Sequence, residues 1–328
     1  MTASAPLRFG ILGAARIAPM ALVRPARRVP GAAVVAVAAR DARRAEAFAA
    51  RHGVARAHAS YEALLADPAV DAVYNPLPNA LHAAWTIRAL EAGKHVLCEK
   101  PFSADAAEAE SMAVAAARTG RVLMEAFHYR YHALFARMRD ILQCGELGDV
   151  RHLEASFCIP LLRRDDIRWR RDLAGGALMD TGCYAVHLLR NLAGAEPEVV
   201  FARAVWTRGG VDRWLTAELR FPGDRTARLT CALLSAAGVR VSARVVGERG
   251  HLSAVNWVAP QLFHRLRVVT PAGRRVERLA GEPSYDAQLR AFVAAVREGT
   301  PFPTDPRDAV ANMRAIDAIY AAAGRPRG

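Results

Sequence analysis

Across its first 127 residues the chain alternates short apolar segments with helical patterns, and that alternation leaves few folds open. Arg8-Phe-Gly-Ile-Leu-Gly13 stops at a glycine, and Ala14-Ala-Arg-Ile-Ala18 begins a helical pattern. Val34 to Ala39 precedes a helix over Asp41 to His52, Val70 to Tyr74 one over Asn79 to Glu91, and His95 to Cys98 one over Ser103 to Arg118. Val122 to Phe127 closes the series. Asp41, Asn79 and Ser103 stand where an N-cap oxygen would take orphan amides, and Gly53, Gly93 and Gly120 stand just past helix ends. Apolar strands without period-2 alternation are buried on both faces, so the pattern predicts an α/β half: a doubly wound, parallel Rossmann sheet.

A dinucleotide fingerprint needs a glycine for the turn, a small residue beside the pyrophosphate and a small residue where helix packs on strand. Gly13, Ala15 and Ala18 take those places. Two alanines weaken the motif by itself; its position after the first strand, opening a helix, strengthens it. The expected cofactor contacts are Gly13, Ala14, Ala15, Arg16 and Ile17. At the end of the second strand the usual ribose-binding acid is replaced by Ala39, and Arg40 follows it. An arginine there accommodates the 2′-phosphate of NADP or lies over the adenine. The plain alternative is a surface arginine, with Asp41 capping the next helix; NADP is preferred, with NAD as the second option. Asn75, Pro76 and Leu77 follow the third strand at its carboxyl end, and Asn79 and His82 come early in the next helix, so all five are expected along the same crevice.

The 328 residues, 52% hydrophobic and 23% charged, suffice for two domains. A net charge of +13 raises the question of nucleic acid. The arginines are spread along the chain with acids between them, however, and the runs Arg24 to Arg28 and Arg163 to Arg171 are broken by Pro or Asp. They read as a solvated surface, with no nucleic-acid partner. Only Lys94 and Lys100 are lysines, so each calls for a reason. Cys98, Cys144, Cys158, Cys183 and Cys231 are odd in number and scattered, which reads as reduced thiols. His128 and His132 have helical i, i+4 spacing but no third ligand, so no metal is expected and the pair is assigned to interdomain packing and substrate contact. The N-terminal apolar stretch is short for a signal h-region, and no apolar run approaches the ~20 residues of a membrane span. No membrane association and a cytoplasmic location are expected.

From Val150 the period changes to two: Val150 to Ile159, Val199 to Thr207, Trp214 to Phe221, Ala227 to Leu234, Val239 to Val246 and Leu262 to Val269, with a helix over Gly175 to Ala193. The pattern predicts an open, mainly antiparallel sheet with helices on one face, which makes the whole chain α/β plus α+β. The loop from Leu161 to Gly175 carries Arg168-Trp169-Arg170 and reads as a lid, with Trp169 a stacking wall and Arg168 a substrate contact. The expected domains are 1–127 and 128–328.

Asn75-Pro-Leu-Pro-Asn-Ala-Leu-His82 and Glu99-Lys100-Pro101 resemble the glucose-fructose oxidoreductase, inositol dehydrogenase and MocA-like (Gfo/Idh/MocA) family. Met124-Glu-Ala-Phe-His-Tyr-Arg130 and Gly175-Gly-Ala-Leu-Met-Asp180-Thr-Gly-Cys-Tyr184 extend the likeness over most of the chain. The most similar branch holds dihydrodiol dehydrogenase and NADP-linked xylose dehydrogenase; many sugar and inositol dehydrogenases of the family have histidine where Tyr184 stands. The resemblance implies an NAD(P)-dependent oxidoreductase acting on a sugar, polyol or diol. It also implies a homodimer or higher homo-oligomer through the open sheet, where Trp206 and Trp214 are candidates for the contact, and a closing helix over 306–323 at the domain junction.

Hydride transfer from a secondary alcohol must be matched by movement of the hydroxyl proton, which needs an acid/base within hydrogen-bond reach. Tyrosine has an ordinary pKa of about 10, and a nearby ammonium lowers it. The catalytic candidates are therefore Tyr184 as acid/base, Lys100 as its partner and substrate anchor, and Asp180. Glu99 is expected to hold Lys100 or the nicotinamide ribose. Asp180, Tyr184 and His187 share one helix face and are expected at the substrate, with His187 a rival base. Two other readings stay open, a catalytically silent nucleotide or sugar sensor and an NAD-dependent glycoside hydrolase.

Overall fold

The computed structural model describes residues 5–236 and 238–324; the outer ends of the expected domains, 1–4 and 325–328, lie outside them. Contacts divide the chain into two compact units, one running to His128 and taking in Tyr285–Val310, the other Tyr129–Ser284 with the chain from Ala311 onward.

In the first unit, six parallel strands, β1 (Leu7–Leu12), β2 (Ala32–Ala38), β3 (Arg56–His58), β4 (Ala72–Asn75), β5 (His95–Cys98) and β6 (Leu123–Glu125), stand in the order β3-β2-β1-β4-β5-β6. Phe9, Ile11, Val37, Val73, Val96 and Leu97 are fully enclosed, as expected of a sheet covered on both faces. The strand order reverses between β1 and β4, where sheets of this kind bind ligands beyond the strands' carboxyl ends.

The helices are α1 (Arg24–Ala26), α2 (Ala42–His52), α3 (Tyr61–Ala66), α4 (His82–Glu91) and α5 (Ala106–Thr119). Helical structure after β1 starts later than expected: residues 14–17 form the turn, and a π-helical turn over Pro19–Val23 leads into α1. Pro19 suits the first helical position, while Pro25 cannot donate to the Ala21 carbonyl and crowds it, so the turn widens. Asp41 caps α2 by accepting from Arg43 N at 3.0 Å. Two other expected caps are corrected. Ser103 Oγ donates to Asp105 O at 2.7 Å and stays in the turn, leaving Asp105 to cap α5; Asn79 opens a 3-10 turn over Asn79–Leu81 ahead of α4. β3 and α3 escape a sequence reading because a three-residue edge strand, Arg56-Ala-His58, and one and a half turns show no period.

Lys94 has a structural role: Nζ donates to Asp67 O at 2.9 Å and Val70 O at 2.7 Å beneath the sheet, and burial lowers its pKa.

In the second unit, α6 (Ala133–Gln143) precedes a sheet of β7 (Val150–Cys158), β8 (Glu198–Trp206), β9 (Asp212–Phe221), β10 (Arg225–Ala232), β11 (Arg240–Gly247), β12 (Gly250–Val255), β13 (Arg265–Thr270) and β14 (Gly273–Glu277). Their order is β14-β13-β12-β11-β7-β10-β9-β8. The β8-β9-β10 meander returns β10 beside β7 in the same direction, so that pair is parallel and the others antiparallel. α7 (Cys183–Ala193) packs on β7 and β10. β12, rich in small residues and paired on both sides, and β14, a charged edge strand, are additions to the sequence reading. Trp206 was expected on the open face; its ring instead packs against Tyr320 at 6.0 Å.

α8 (Ser284–Glu298) and the start of α9 (Pro306–Ala322) belong with the parallel sheet, whereas the sequence reading cuts once after residue 127. Phe292 meets Phe9 of β1 at 5.6 Å, and Arg28 holds Asp286 through two hydrogen bonds of 2.6 Å. Among the described residues no helix is long and apolar enough to cross a membrane. Phe292→Ala should cost about 3–5 kcal/mol; denaturant titration should show the first unit unfolding earlier, and an unchanged midpoint would refute this account of α8.

Candidate active site

The switch point is closely packed. Gly13 has φ +89°, open to glycine and strained for other residues, and a Cβ there would stand 3.0 Å from Leu77 Cδ2. Gly13 N donates to Ala38 O at 2.7 Å and Ala15 N to Gly13 O at 2.8 Å, bringing the ends of β1 and β2 and the loop after β4 together. Ala14, Ala15 and Ile17 are half-buried and Arg16 is exposed, so the turn keeps backbone available at the crevice. These residues fit a dinucleotide. Ala39 is buried and supplies no carboxylate, while Arg40 is exposed and hydrogen-bonds to Tyr61. Burial raises the pKa of Tyr61, against the charges of Arg40 and Arg44. Tyr61 and Arg44 are additions to the expected set, and no local spacing pairs them with Arg40, which lies outside α2.

At the end of β5 the turn bearing Lys100 is held on several sides. Tyr74 OH donates to Glu99 Oε1 at 2.7 Å, Lys100 N donates to Glu99 Oε2 at 3.3 Å, and Glu99 N donates to Asn75 O at 3.0 Å. His82 is completely buried, with Nδ1 2.8 Å from Pro101 O and Nε2 2.8 Å from Leu77 O. Cys98 Sγ is 3.7 Å from Phe102 O, and the Lys100–Pro101 peptide is cis. Lys100 itself is half-buried. The expectation that the His82 side chain reaches the cofactor crevice is therefore corrected: both ring nitrogens face carbonyls, and the ring joins the β4 loop to the Lys100 turn. Asn75 is also turned inward, with Nδ2 on His82 O at 3.2 Å and Thr86 Oγ1 at 3.0 Å, leaving the backbone of Pro76 and Leu77 at the crevice. Asn79 is half-buried in its 3-10 turn.

In the second unit Tyr184 is the second residue of α7, 5% exposed within an aromatic box. Its ring lies 5.6 Å from Phe157, 5.9 Å from Tyr129 and 6.5 Å from Trp257. A π-helical turn over Leu178–Gly182 precedes α7. Asp212 reaches across from β9 to hold its start: Oδ2 accepts from Leu178 N and Oδ1 from Tyr320 OH, both at 2.8 Å. Gly176, at φ +135°, makes room for this, since a Cβ there would stand 2.2 Å from Asp212 Oδ1. Asn312 Nδ2 donates to Cys183 O at 3.3 Å.

Arg168 and Asp180 do come together, as a 2.7 Å ion pair, and Asp166 Oδ1 takes Arg168 Nη1 at 3.1 Å. The loop over 161–175 is thereby tied to the turn ahead of α7. Asp180 is engaged in placing that loop, and Trp169 Nε1 donates to Arg163 O at 2.9 Å with its ring half-exposed. His187 is completely buried, with Nδ1 2.5 Å from Tyr129 OH. The expectation of a substrate-facing rival base is corrected to a support for Tyr129. Tyr129, Trp257, Asp212 and Tyr320 were missed because they converge from four distant segments without a local pattern.

His128 belongs to a 3-10 turn over His128–Tyr131 and stacks on Tyr285 at 4.0 Å; His132 caps α6 by accepting from Leu134 N at 3.0 Å. The two are thus not on one helix, and the described residues contain no group of three or more His, Cys, Asp or Glu able to hold a metal.

Comparison with known proteins completes the picture. Residues 7–127 match the model described as "Oxidoreductase family, NAD-binding Rossmann fold", and 135–253 match that of the GFO/IDH/MocA C-terminal domain. A D-xylose 1-dehydrogenase (NADP(+)) of Haloferax volcanii is 38% identical over 319 residues, 97% of each chain. A dTDP-3,4-didehydro-2,6-dideoxy-alpha-D-glucose 3-reductase of Streptomyces violaceoruber is 40% identical over 295 residues, 89% of this chain and 85% of the relative. The crystal structure of a 3-ketoreductase from Actinomadura kijaniata, in complex with NADP and TDP-benzene, superposes with a TM-score of 0.91 at 32% identity, covering 97% of this chain and 98% of that one.

The buried ring of His82 yields a pH test. Burial, reinforced by the Lys100 charge, lowers its pKa from 6.5 to about 4, against the two carbonyl bonds, which raise it. The unfolded chain then binds the extra proton between those values, so stability is complete above about 6.5 and falls as pH drops toward 4. Equilibrium unfolding of His82→Gln should show this slope reduced by about one proton; an unaltered slope would sink the assignment.

Proposed function

Since this chain belongs to the Gfo/Idh/MocA oxidoreductase family, with its NAD-binding Rossmann domain, we propose that it is an NADP-preferring dehydrogenase or reductase interconverting a secondary alcohol and a ketone on a sugar, polyol or diol. The observation that carries the reading is the Lys100 turn at the carboxyl end of β5, held by Tyr74, His82 and Cys98 through Glu99, Pro101 and Phe102, because a turn fixed on both sides of one lysine presents that side chain from a set position. The cofactor, when bound, supplies hydride exchange at the nicotinamide. In the oxidative direction Tyr184 takes the hydroxyl proton as the carbinol hydride departs; in the reductive direction it returns that proton to the new alkoxide. Lys100 holds the substrate oxygen and favours the phenolate of Tyr184. Asp180 and Arg168 set the loop beside the substrate, and Trp169 gives it an apolar wall. The open sheet face, with Val200 and Phe201 exposed on β8, is assigned to a homodimer contact.

NADP preference rests on Arg40 and its neighbours Tyr61 and Arg44, with no acid at Ala39. Fluorescence titration should show NADPH binding more tightly than NADH. Arg40→Ala should weaken NADPH by about tenfold to a hundredfold, the loss of one charged hydrogen bond, and leave NADH nearly unchanged. Equal affinities in the wild type would overturn the preference.

Tyr184→Phe should lower kcat by about 10²–10⁴ while NADPH affinity holds. Lys100→Met should move the alkaline-favoured limb of the oxidative kcat/KM profile to higher pH, because the phenol loses the cation that eases its ionisation. An unshifted profile would remove Lys100 from its role as the partner of Tyr184.

A further inference from the structure

We infer that the second unit holds a pocket for the nucleoside diphosphate end of a nucleotide-linked sugar, between the loop over 256–264 and the segment over 278–283. The inference rests on the sugar oxidoreductase reading above and narrows its substrate class. A cavity of about 770 Å³ opens there, lined among others by Gln261, Leu262, Phe263, His264, Arg265 and Arg278. That volume suits a small-molecule ligand.

The loop is rigidly built. Asn256, at φ +52°, donates from Nδ2 to Ala259 O at 2.9 Å and to Phe263 O at 2.7 Å. His264 Nε2 accepts from Leu279 N at 2.8 Å, which leaves the ring proton on Nδ1 to donate to Pro260 O at 2.8 Å. Gln261 Oε1 accepts from Ser284 OH at 2.7 Å. Even so, this ordered loop keeps Leu262 75% and Phe263 65% exposed. Burial in the unit's own core does not account for two large apolar side chains held in water on a fixed frame; a flat ligand face does.

Charge points to the rest of the ligand. No Asp or Glu lines the cavity, the neighbouring Glu282 included. The guanidinium groups of Arg265 and Arg278 have no hydrogen-bond or carboxylate partner among the described residues, and both residues are exposed, whereas nearby Arg137 and Arg275 are both paired with Glu277. Two uncommitted guanidiniums match two phosphate groups, and the Phe263 ring matches a base. A free sugar would use neither, and a sugar phosphate would leave Phe263 idle. The same loop begins at Trp257, whose ring lies 5.2 Å from Tyr129 and 6.5 Å from Tyr184, so one rigid segment serves both the acid/base cluster and the pocket.

The test is calorimetric titration of the full chain, saturated with NADP⁺ to occupy the cofactor site, with dTDP and separately with inorganic pyrophosphate. Binding of dTDP is expected, weakened about tenfold or more in the Arg265→Ala/Arg278→Ala double variant. Phe263→Ala should weaken dTDP and spare pyrophosphate. Arg265→Glu, a second surface variant, should weaken both. Absence of dTDP binding, equal binding by the variants, or a Phe263→Ala variant that dissociates a dimer in sedimentation without altering dTDP affinity would each overturn the pocket, the last assigning the surface to a second copy. NADPH titration of the same proteins separates the two levels: a chain that binds NADPH but not dTDP loses only the pocket, and one that binds no NADPH loses the oxidoreductase reading itself.

Discussion

One enclosed imidazole governs the geometry of the first unit's crevice. The two nitrogens of His82 face the carbonyls of Leu77 and Pro101, joining the loop after β4 to the turn after β5. Burial favours the neutral ring, which owns a single N–H for two acceptors, so packing must hold the second contact together. Leu77 in turn packs against Gly13, so the fingerprint turn, the β4 loop and the lysine turn form one connected body. A dinucleotide seated on the first two therefore has a fixed relation to Lys100, the kind of preorganisation that spares a reaction the cost of ordering its own groups.

The second unit reaches a similar result with a carboxylate. Asp212, 1% exposed, takes the amide of Leu178 and the hydroxyl of Tyr320, fixing the start of the segment that leads into Tyr184. The two missing side chains at Gly175 and Gly176 let backbone and carboxylate come this close, since a Cβ on Gly175 would stand 2.4 Å from Arg168 O. Here too Tyr184 sits on an element whose start is set by residues far away in sequence.

That pattern explains what the sequence discloses and what it withholds. The alternation that yields β1, β2, β4, β5 and β6, the Gly13 turn and the Glu99-Lys100-Pro101 segment are local, and a local reading recovers them with strand ends displaced by a residue or two. The inward turn of His82 and Asn75 depends on Thr86, Pro101 and Leu77 converging, which no spacing announces. Asp212 stands at the edge of a period-2 strand and reads as a turn residue until Tyr320 is seen beside it. α8 has an ordinary amphipathic stripe; only the Phe9 contact says which sheet it covers. His187 shares a helix with Tyr184, as its three-residue spacing implies, yet the Tyr129 contact and complete burial take it out of reach of a ligand.

The scarcity of lysine has a practical side. Of the chain's two lysines, Lys94 is 9% exposed with its ammonium spent on two carbonyls, while Lys100 is half-buried on a turn beside the crevice. Among side-chain amines, then, an acylating label has a single accessible target. Its rate of attachment becomes a direct optical or mass-spectrometric gauge of whatever covers the crevice, in a protein where abundant surface arginine stays silent to the same reagent.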